Sequence, residues 1–172
     1  RVLACTATAT PIVRDEIPTH SVAHSFIVQP GVGLIRISSF TSTTTNEMDE
    51  ALKKLKSQGM ERLILDLRSN PGGQLDQAIR IANRFLAKGS MVVYTRGRVP
   101  NSDQDYHATE TPEYATIPMI TLVNRSSASA SEIVSGALQD HDRSLIIGET
   151  TFGKALVQSV YRVSGGAGLA LT

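Results

Sequence analysis

The spacing of apolar and polar residues changes period several times along this chain, and each change marks an element. Gly31 to Phe40 alternates Val32, Leu34, Ile35, Ile37 and Phe40 with small or polar residues, which predicts a strand. Thr44 to Gln58 then carries Met48, Ala51, Leu52 and Leu55 at helical spacing, with Thr44 and Glu47 in capping-box register and Gly59 where a C-terminal cap belongs. Arg62 to Leu67 is dense enough in aliphatics for a strand buried on both faces, and Arg68 to Gly73 is a turn that no regular element crosses. Leu75, Ala78, Ile79, Ala82, Phe85 and Leu86 mark a second helix stopped at Gly89, and Met91 to Thr95 predicts the next strand, in βαβαβ order.

Beyond it, Arg96 to Thr116 is polar and reads as a surface excursion or lid. Pro118 to Asn124 returns as an apolar strand, the run Ser126 to Glu132 opens a third helix reaching about Asp140, and Ser144 to Gly148 is another buried strand. A Gly-containing loop, Thr150 to Ala155, leads to strands at Leu156 to Val163 and Gly168 to Thr172 around a Gly165-Gly166 turn. Before all of these, Pro11, Pro18 and Pro30 punctuate short strands near Thr6 to Arg14 and Val22 to Val28. Strands alternating with helices predict an α/β fold with a mostly parallel sheet flanked by helices, plus extra β-strands. No internal repeat is visible.

Composition narrows the class. The 172 residues suffice for one sizeable core, and 41% hydrophobic with 19% charged residues sets disordered and fibrous classes aside. A net charge of +1 from scattered basic residues argues against nucleic acid as a partner. Cys5 is the lone cysteine, so no internal disulfide forms and a zinc site built on two or more cysteines is excluded. No apolar run approaches about 18 residues and the start has no basic region followed by an apolar one, so neither an integral membrane segment nor a signal peptide is expected in this chain. The final strand reads as cut off without a closing turn, so the core is expected to be truncated at its C-terminal end.

A serine run at a strand-to-helix turn can present a hydroxyl where helix N–H groups stabilise an anion. A nucleophilic serine needs a base. His141 lies twelve residues beyond Ser129, roughly 18 Å along a helix at about 1.5 Å per residue, beyond reach of it. His20, His24 and His107 fall in connecting segments. Of the five lysines, Lys53, Lys54 and Lys56 belong to the solvated face of the first helix and Lys88 to the end of the second. Lys154 stands apart in Thr-Phe-Gly-Lys-Ala-Leu-Val-Gln; enclosed there it would lose solvation and favour the neutral amine that accepts a proton. Each motif also has a plainer reading. Ser129-Ala-Ser-Glu132 is a capping box, Pro71-Gly72-Gly73 a tight turn, and Gly148 to Lys154 has the spacing of a phosphate loop, opposed by Ala155 and by the strand predicted to follow.

Taken together, Asp66-Leu-Arg68-Ser-Asn70-Pro-Gly-Gly73, Ser127-Ala-Ser-Ala-Ser-Glu132-Ile and Gly148-Glu-Thr-Thr-Phe-Gly-Lys154-Ala-Leu-Val-Gln158 resemble the carboxyl-terminal processing peptidases, or tail-specific proteases. Gly33 to Phe40 and Gly136 to Asp140 resemble further segments of that family. The likeness covers about residues 31–172; residues 1–30 are read as linker and strands, the remnant of a preceding PDZ domain at most. It implies a ClpP/crotonase-like fold, Ser129 as nucleophile, Lys154 as general base, Gln158 as the residue that orients it, and an oxyanion hole from the N–H of Ala130 with that of Gly72 or Gly73. Four residues separate Lys154 from Gln158, which puts both on one face if the stretch is extended. Ala155 departs from the glycine common there.

The resemblance further implies a serine endopeptidase that cuts polypeptides near apolar C-terminal tails, needs no cofactor or metal, and works outside the cytoplasm, in a bacterial envelope or an organellar lumen. An oligomer stays open. The rival expectation is a catalytically silent module of the same fold that binds polypeptide tails or apolar ligands; an acyl-CoA enzyme on the related fold leaves Lys154 and Gln158 without a role.

Overall fold

A computed structural model describes residues 20–98 and 102–171. The strand anticipated at Thr6 to Arg14, and Cys5, lie outside them. Among the described residues, nine strands and three α-helices follow in the order β1 (His24–Gln29), β2 (Val32–Arg36), α1 (Thr44–Ser57), β3 (Arg62–Asp66), α2 (Leu75–Asn83), β4 (Met91–Thr95), β5 (Gln104–His107), β6 (Met119–Val123), α3 (Ala130–Asp140), β7 (Leu145–Gly148), β8 (Ser159–Arg162) and β9 (Gly168–Leu171). Five strands form the central sheet in the order β1-β2-β3-β6-β7, with β1 antiparallel and the other four parallel. No helix among the described residues is long and apolar enough to cross a membrane.

One face of that sheet makes the core. Ile35, Leu63, Leu65 and Val123 pack with Met48, Leu52 and Leu55 of α1, Ala78 and Ile81 of α2, and Val134 and Leu138 of α3 in a single cluster. The other face differs from the expectation that Arg62 to Leu67 would be buried on both sides. Phe26, Leu34, Ile64, Ile120 and Leu145 pair in register across all five strands, yet Leu34, Ile64 and Ile120 are only partly buried and Phe26 and Leu145 are exposed. Among the described residues, the aliphatic density of β3 and β6 therefore does not translate into helices on both sides. For the same reason β7, at the sheet edge, is exposed rather than buried, with Leu145 at 66%.

Two further corrections concern pairing. β4 does not extend the parallel sheet; it pairs antiparallel with β5, which lies inside the polar stretch read as an irregular excursion. Met91 and Tyr94 of β4 are exposed, so this strand lacks the two buried faces a central position demands. The α1 cap sits one residue earlier than its sequence register. Thr43 is the N-cap and its hydroxyl donates to Glu47 at 2.6 Å, while buried Thr44 donates its own hydroxyl to Ser21 Oγ at 2.9 Å. Glu47 is drawn instead to the Val22 N–H at 2.8 Å, joining α1 to the segment before β1. β8 and β9 form a separate exposed hairpin turning at Ser164–Gly166, with β8 shorter than the strand anticipated from Leu156.

Candidate active site

Parallel strands share one carboxyl edge, and loops leaving it converge, which is where sites form in such sheets. β2, β3, β6 and β7 each end there, leading to Phe40, to the turn at 67–74, to the serine run and to the Lys154 loop respectively. β3 is tied off by Asp66, which is 2% exposed. Its carboxylate accepts the Arg68 N–H at 3.0 Å, Nε at 2.9 Å and Nη2 at 2.8 Å. Burial pushes this carboxyl up, but the hydrogen bonds and charge of Arg68, with the charge of Arg36, outweigh it and hold the pKa below the usual carboxylate value.

Asn70 is fully buried and stitches three segments together. Its Nδ2 donates to Ile37 O at 2.9 Å and its Oδ1 accepts the Gly72 N–H at 2.8 Å. Its carbonyl accepts the Ala128 N–H and the Ser131 hydroxyl, both at 3.0 Å. The glycine turn and the serine turn are thereby one unit. Gly72, at φ +97°, is pressed against the serine turn: a Cβ there would lie 2.7 Å from Ala128 O, 2.8 Å from Ser129 Cβ and 2.9 Å from Ala130 N. Only glycine permits that approach. On its other side the turn is bridged to Phe40, whose N–H donates to Gly72 O and whose carbonyl accepts the Gln74 N–H, each at 2.9 Å.

The serines of the run divide by environment. Ser127 is buried, donating to Leu67 O at 2.8 Å and accepting the Asn124 N–H at 3.0 Å; Ser131 is buried on Asn70. Both hydroxyls are taken up in joining β6 to the turn after β3. Ser126 is exposed before the helix. Ser129 alone combines the α3 N-cap position with partial exposure and a strained backbone, φ +54° and ψ −113°. Such a conformation at a residue other than glycine costs about 1–3 kcal/mol and persists where surrounding contacts over-determine it. Ala130 follows as the first helical residue, so its N–H is one of the donors a helix leaves unpaired.

Glu132 does more than cap. It forms the capping box with Ser129, accepting the Ser129 N–H at Oε2, 2.8 Å. The same Oε2 accepts the Lys154 N–H at 2.9 Å, and Oε1 accepts the Gly153 N–H at 2.6 Å and the Thr151 hydroxyl at 2.8 Å. Partial burial raises this carboxyl, but the bonds from Thr151, Gly153, Ser129 and Lys154 together overcome that and lower its pKa. Sharing one oxygen holds the Ser129 and Lys154 main chains no farther apart than two hydrogen bonds. A further bond, Phe152 N–H to Ser127 O at 3.0 Å, pins the loop to the serine run.

The residues singled out in the sequence therefore meet at one edge in part. Ser129, Ala130 and Gly72 adjoin directly, Gly73 follows Gly72 against Phe40, and the Lys154 backbone is docked beside the serine turn. The side chain of Lys154 departs from expectation: it is exposed, as are Phe152, Ala155, Leu156 and Val157, because no described element covers this stretch. Gln158 is exposed one residue before β8. His141 caps the far end of α3, with Nε2 2.8 Å from Met91 O. Residues 149–158 lead into a strand and not a helix, which removes the phosphate-loop reading. Asn70 and Thr151 escaped sequence reasoning. An Asn two residues before a glycine hints at an Asx-turn, but nothing local points to the bonds these residues make across the fold.

The sequence model of Peptidase family S41 matches residues 31–172. The chain belongs to this family. It is 40% identical over 163 residues to the carboxyl-terminal-processing protease of Picosynechococcus, spanning 94% of this chain and 39% of that protein. To the carboxy-terminal processing protease CtpA of Bacillus subtilis it is 38% identical over 161 residues, 94% of this chain and 34% of that one. Among solved structures, the photosystem II D1 C-terminal processing protease superposes with a TM-score of 0.71 at 37% identity, over 82% of this chain and 36% of that chain. The S41 chain thus spans well under half the length of these relatives. A structure from Bacteroides fragilis, at 18% identity and a TM-score of 0.72, shares the fold.

Proposed function

We propose that this S41 chain is the catalytic core of a serine endopeptidase that processes polypeptides near apolar C-terminal tails, with Ser129 as nucleophile and Lys154 as general base. The observation that carries the reading is the strained Ser129 at the start of α3, with the Lys154 main chain hydrogen-bonded to the same carboxylate oxygen. The unprotonated Lys154 amine takes the Ser129 proton as Oγ attacks the scissile carbonyl, then returns it to the leaving amine; water hydrolyses the acyl-enzyme with Lys154 again as base. Gln158 orients the lysine.

The Ala130 N–H supplies one arm of the oxyanion hole. Of the two glycines, Gly72 already donates its N–H to Asn70, which favours Gly73 for the second arm. The exposed Lys154 side chain is brought to Ser129 when substrate or a further part of the protein encloses the loop. Relatives include chloroplastic processing peptidases of Arabidopsis thaliana and Tetradesmus obliquus, which supports an extracytoplasmic or organellar setting.

The test is cleavage of an unfolded protein ending in an apolar tail. Ser129→Ala and Lys154→Ala are each expected to lower turnover by about 10⁴-fold or more while thermal unfolding stays cooperative. Wild-type-like turnover in either variant would overturn the dyad. Binding of the tail without product, in a chain carrying all the residues named, would favour a silent tail-binding module instead.

A further inference from the structure

A helix-capping glutamate needs one hydrogen bond to do its work, and Glu132 makes four. A carboxylate has about four lone-pair sites, and here each oxygen takes two donors. Only the Ser129 bond belongs to the cap. The other three reach a single loop, 19 to 22 residues farther along, and catch it at Thr151, Gly153 and Lys154. That loop is exposed along most of its length. Phe152, Leu156 and Val157 are exposed, and the further bond from Phe152 N–H to Ser127 O is its other main-chain tie to the serine run.

We infer that Glu132 is a positioning residue, a latch that fixes the Lys154 loop onto the Ser129 turn and so sets where the lysine side chain begins. The inference rests on the dyad reading above for its effect on turnover, but the attachment itself is independent of it. A charged acceptor is required because two amides and a hydroxyl must give up water in a partly exposed place, and bonds to an ionised group are the stronger kind. Because Oε2 is shared between the Ser129 and Lys154 N–H groups, displacement of the loop also disturbs the support of the strained serine backbone. Thr151 contributes its hydroxyl to the same carboxylate and completes the latch.

Hydrogen exchange of individual amides in the whole chain, read beside peptide turnover, tests this. In Glu132→Ala the Gly153 and Lys154 amides are expected to exchange about tenfold faster or more, with Val134 and Leu138 in α3 unchanged; kcat on a quenched peptide with an apolar tail falls about tenfold or more, with KM within about twofold. Glu132→Gln keeps one carbonyl acceptor without the charge and falls between the two in both readouts. Unchanged exchange at Gly153 and Lys154 overturns the latch, as does acceleration shared equally by Val134 and Leu138, or a change in KM alone. Faster loop exchange together with wild-type-like turnover in Ser129→Ala supports the latch and overturns only the dyad.

Discussion

The two sides of the candidate site are built differently. On the side of the proposed nucleophile, Ser129 is carried by a turn whose neighbours are buried: Asn70, Ser127, Ser131 and the Gly72 backbone join β3, β6 and the loop after β2 through short bonds inside the core. On the side of the proposed base, Lys154 sits on an exposed stretch whose bonds to the serine run include three to Glu132 and one from the Phe152 N–H. The strain at Ser129 is sustained because core packing holds both flanks. The lysine loop is exposed instead, and three of its bonds to the α3 start go to one carboxylate. On the proposed reading, a site assembled this way would keep Ser129 and the Ala130 N–H preorganised while Lys154 could be engaged or withdrawn.

The contrast is broken most directly at Gly72. Gly72→Ala forces a methyl group against Ala128 O and Ala130 N, so the oxyanion side is expected to lose about 10²- to 10³-fold in kcat, measured with the same tailed substrate. Asn70→Ala comes next. It leaves the Ile37 carbonyl and Gly72 N–H unpaired in the core and is expected to cost about 2–4 kcal/mol in denaturant unfolding, with activity falling alongside.

Acid separates the two sides. The pKa of Glu132 is lowered in the fold, so its stabilisation is complete above the ordinary glutamate value and is lost as pH falls through the folded value. Limited proteolysis of the Phe152 to Gln158 stretch should therefore quicken as pH drops. The Asn70, Ser127 and Ser131 bonds contain no titrating group and should persist through that range. The titrating group on the Ser129 side is Asp66 at the end of β3, whose pKa is also lowered and whose bonds to Arg68 weaken as it gains its proton. The smallest effect is expected from Leu156→Ser, within about 0.5 kcal/mol of wild type by thermal unfolding, because the side chain is already exposed. A larger loss would mean that the Lys154 stretch is packed and that the two sides are alike.

Much of the fold is legible in the order of residues alone. Periodicity locates α1, α2 and α3, and the aliphatic runs locate β3 and β6, because 3.6- and 2-residue periods follow from backbone geometry. The serine run and the glycine turn each have a plain structural reading as cap and tight turn, and it is their occurrence together with Lys154 that stands out. Partnership is harder to read. β4 has an ordinary strand pattern, and only the fold shows that it pairs with β5 instead of entering the sheet. Thr43, not Thr44, stands at the α1 N-cap, and the Thr44 hydroxyl is spent on Ser21, distant in sequence, and on the Thr41 N–H.

By itself, then, the chain's sequence determined where the three helices and the strands β2, β3, β4, β6 and β7 lie, that a capping-box pattern opens α3, and which lysine had no surface or helix-end explanation. Tertiary structure decided that Ser127 and Ser131 are consumed in buried bonds, that Gly72 has spent its N–H on Asn70, and that Glu132 serves the Lys154 loop as well as its own helix. The reason is range. Capping and periodicity are set by neighbours within a turn or two, as is the Gly72 bond to Asn70, whereas the Ser127, Ser131 and Glu132 bonds to distant loops join residues from 19 to 61 positions apart, and only the parallel sheet brings those loops to one edge.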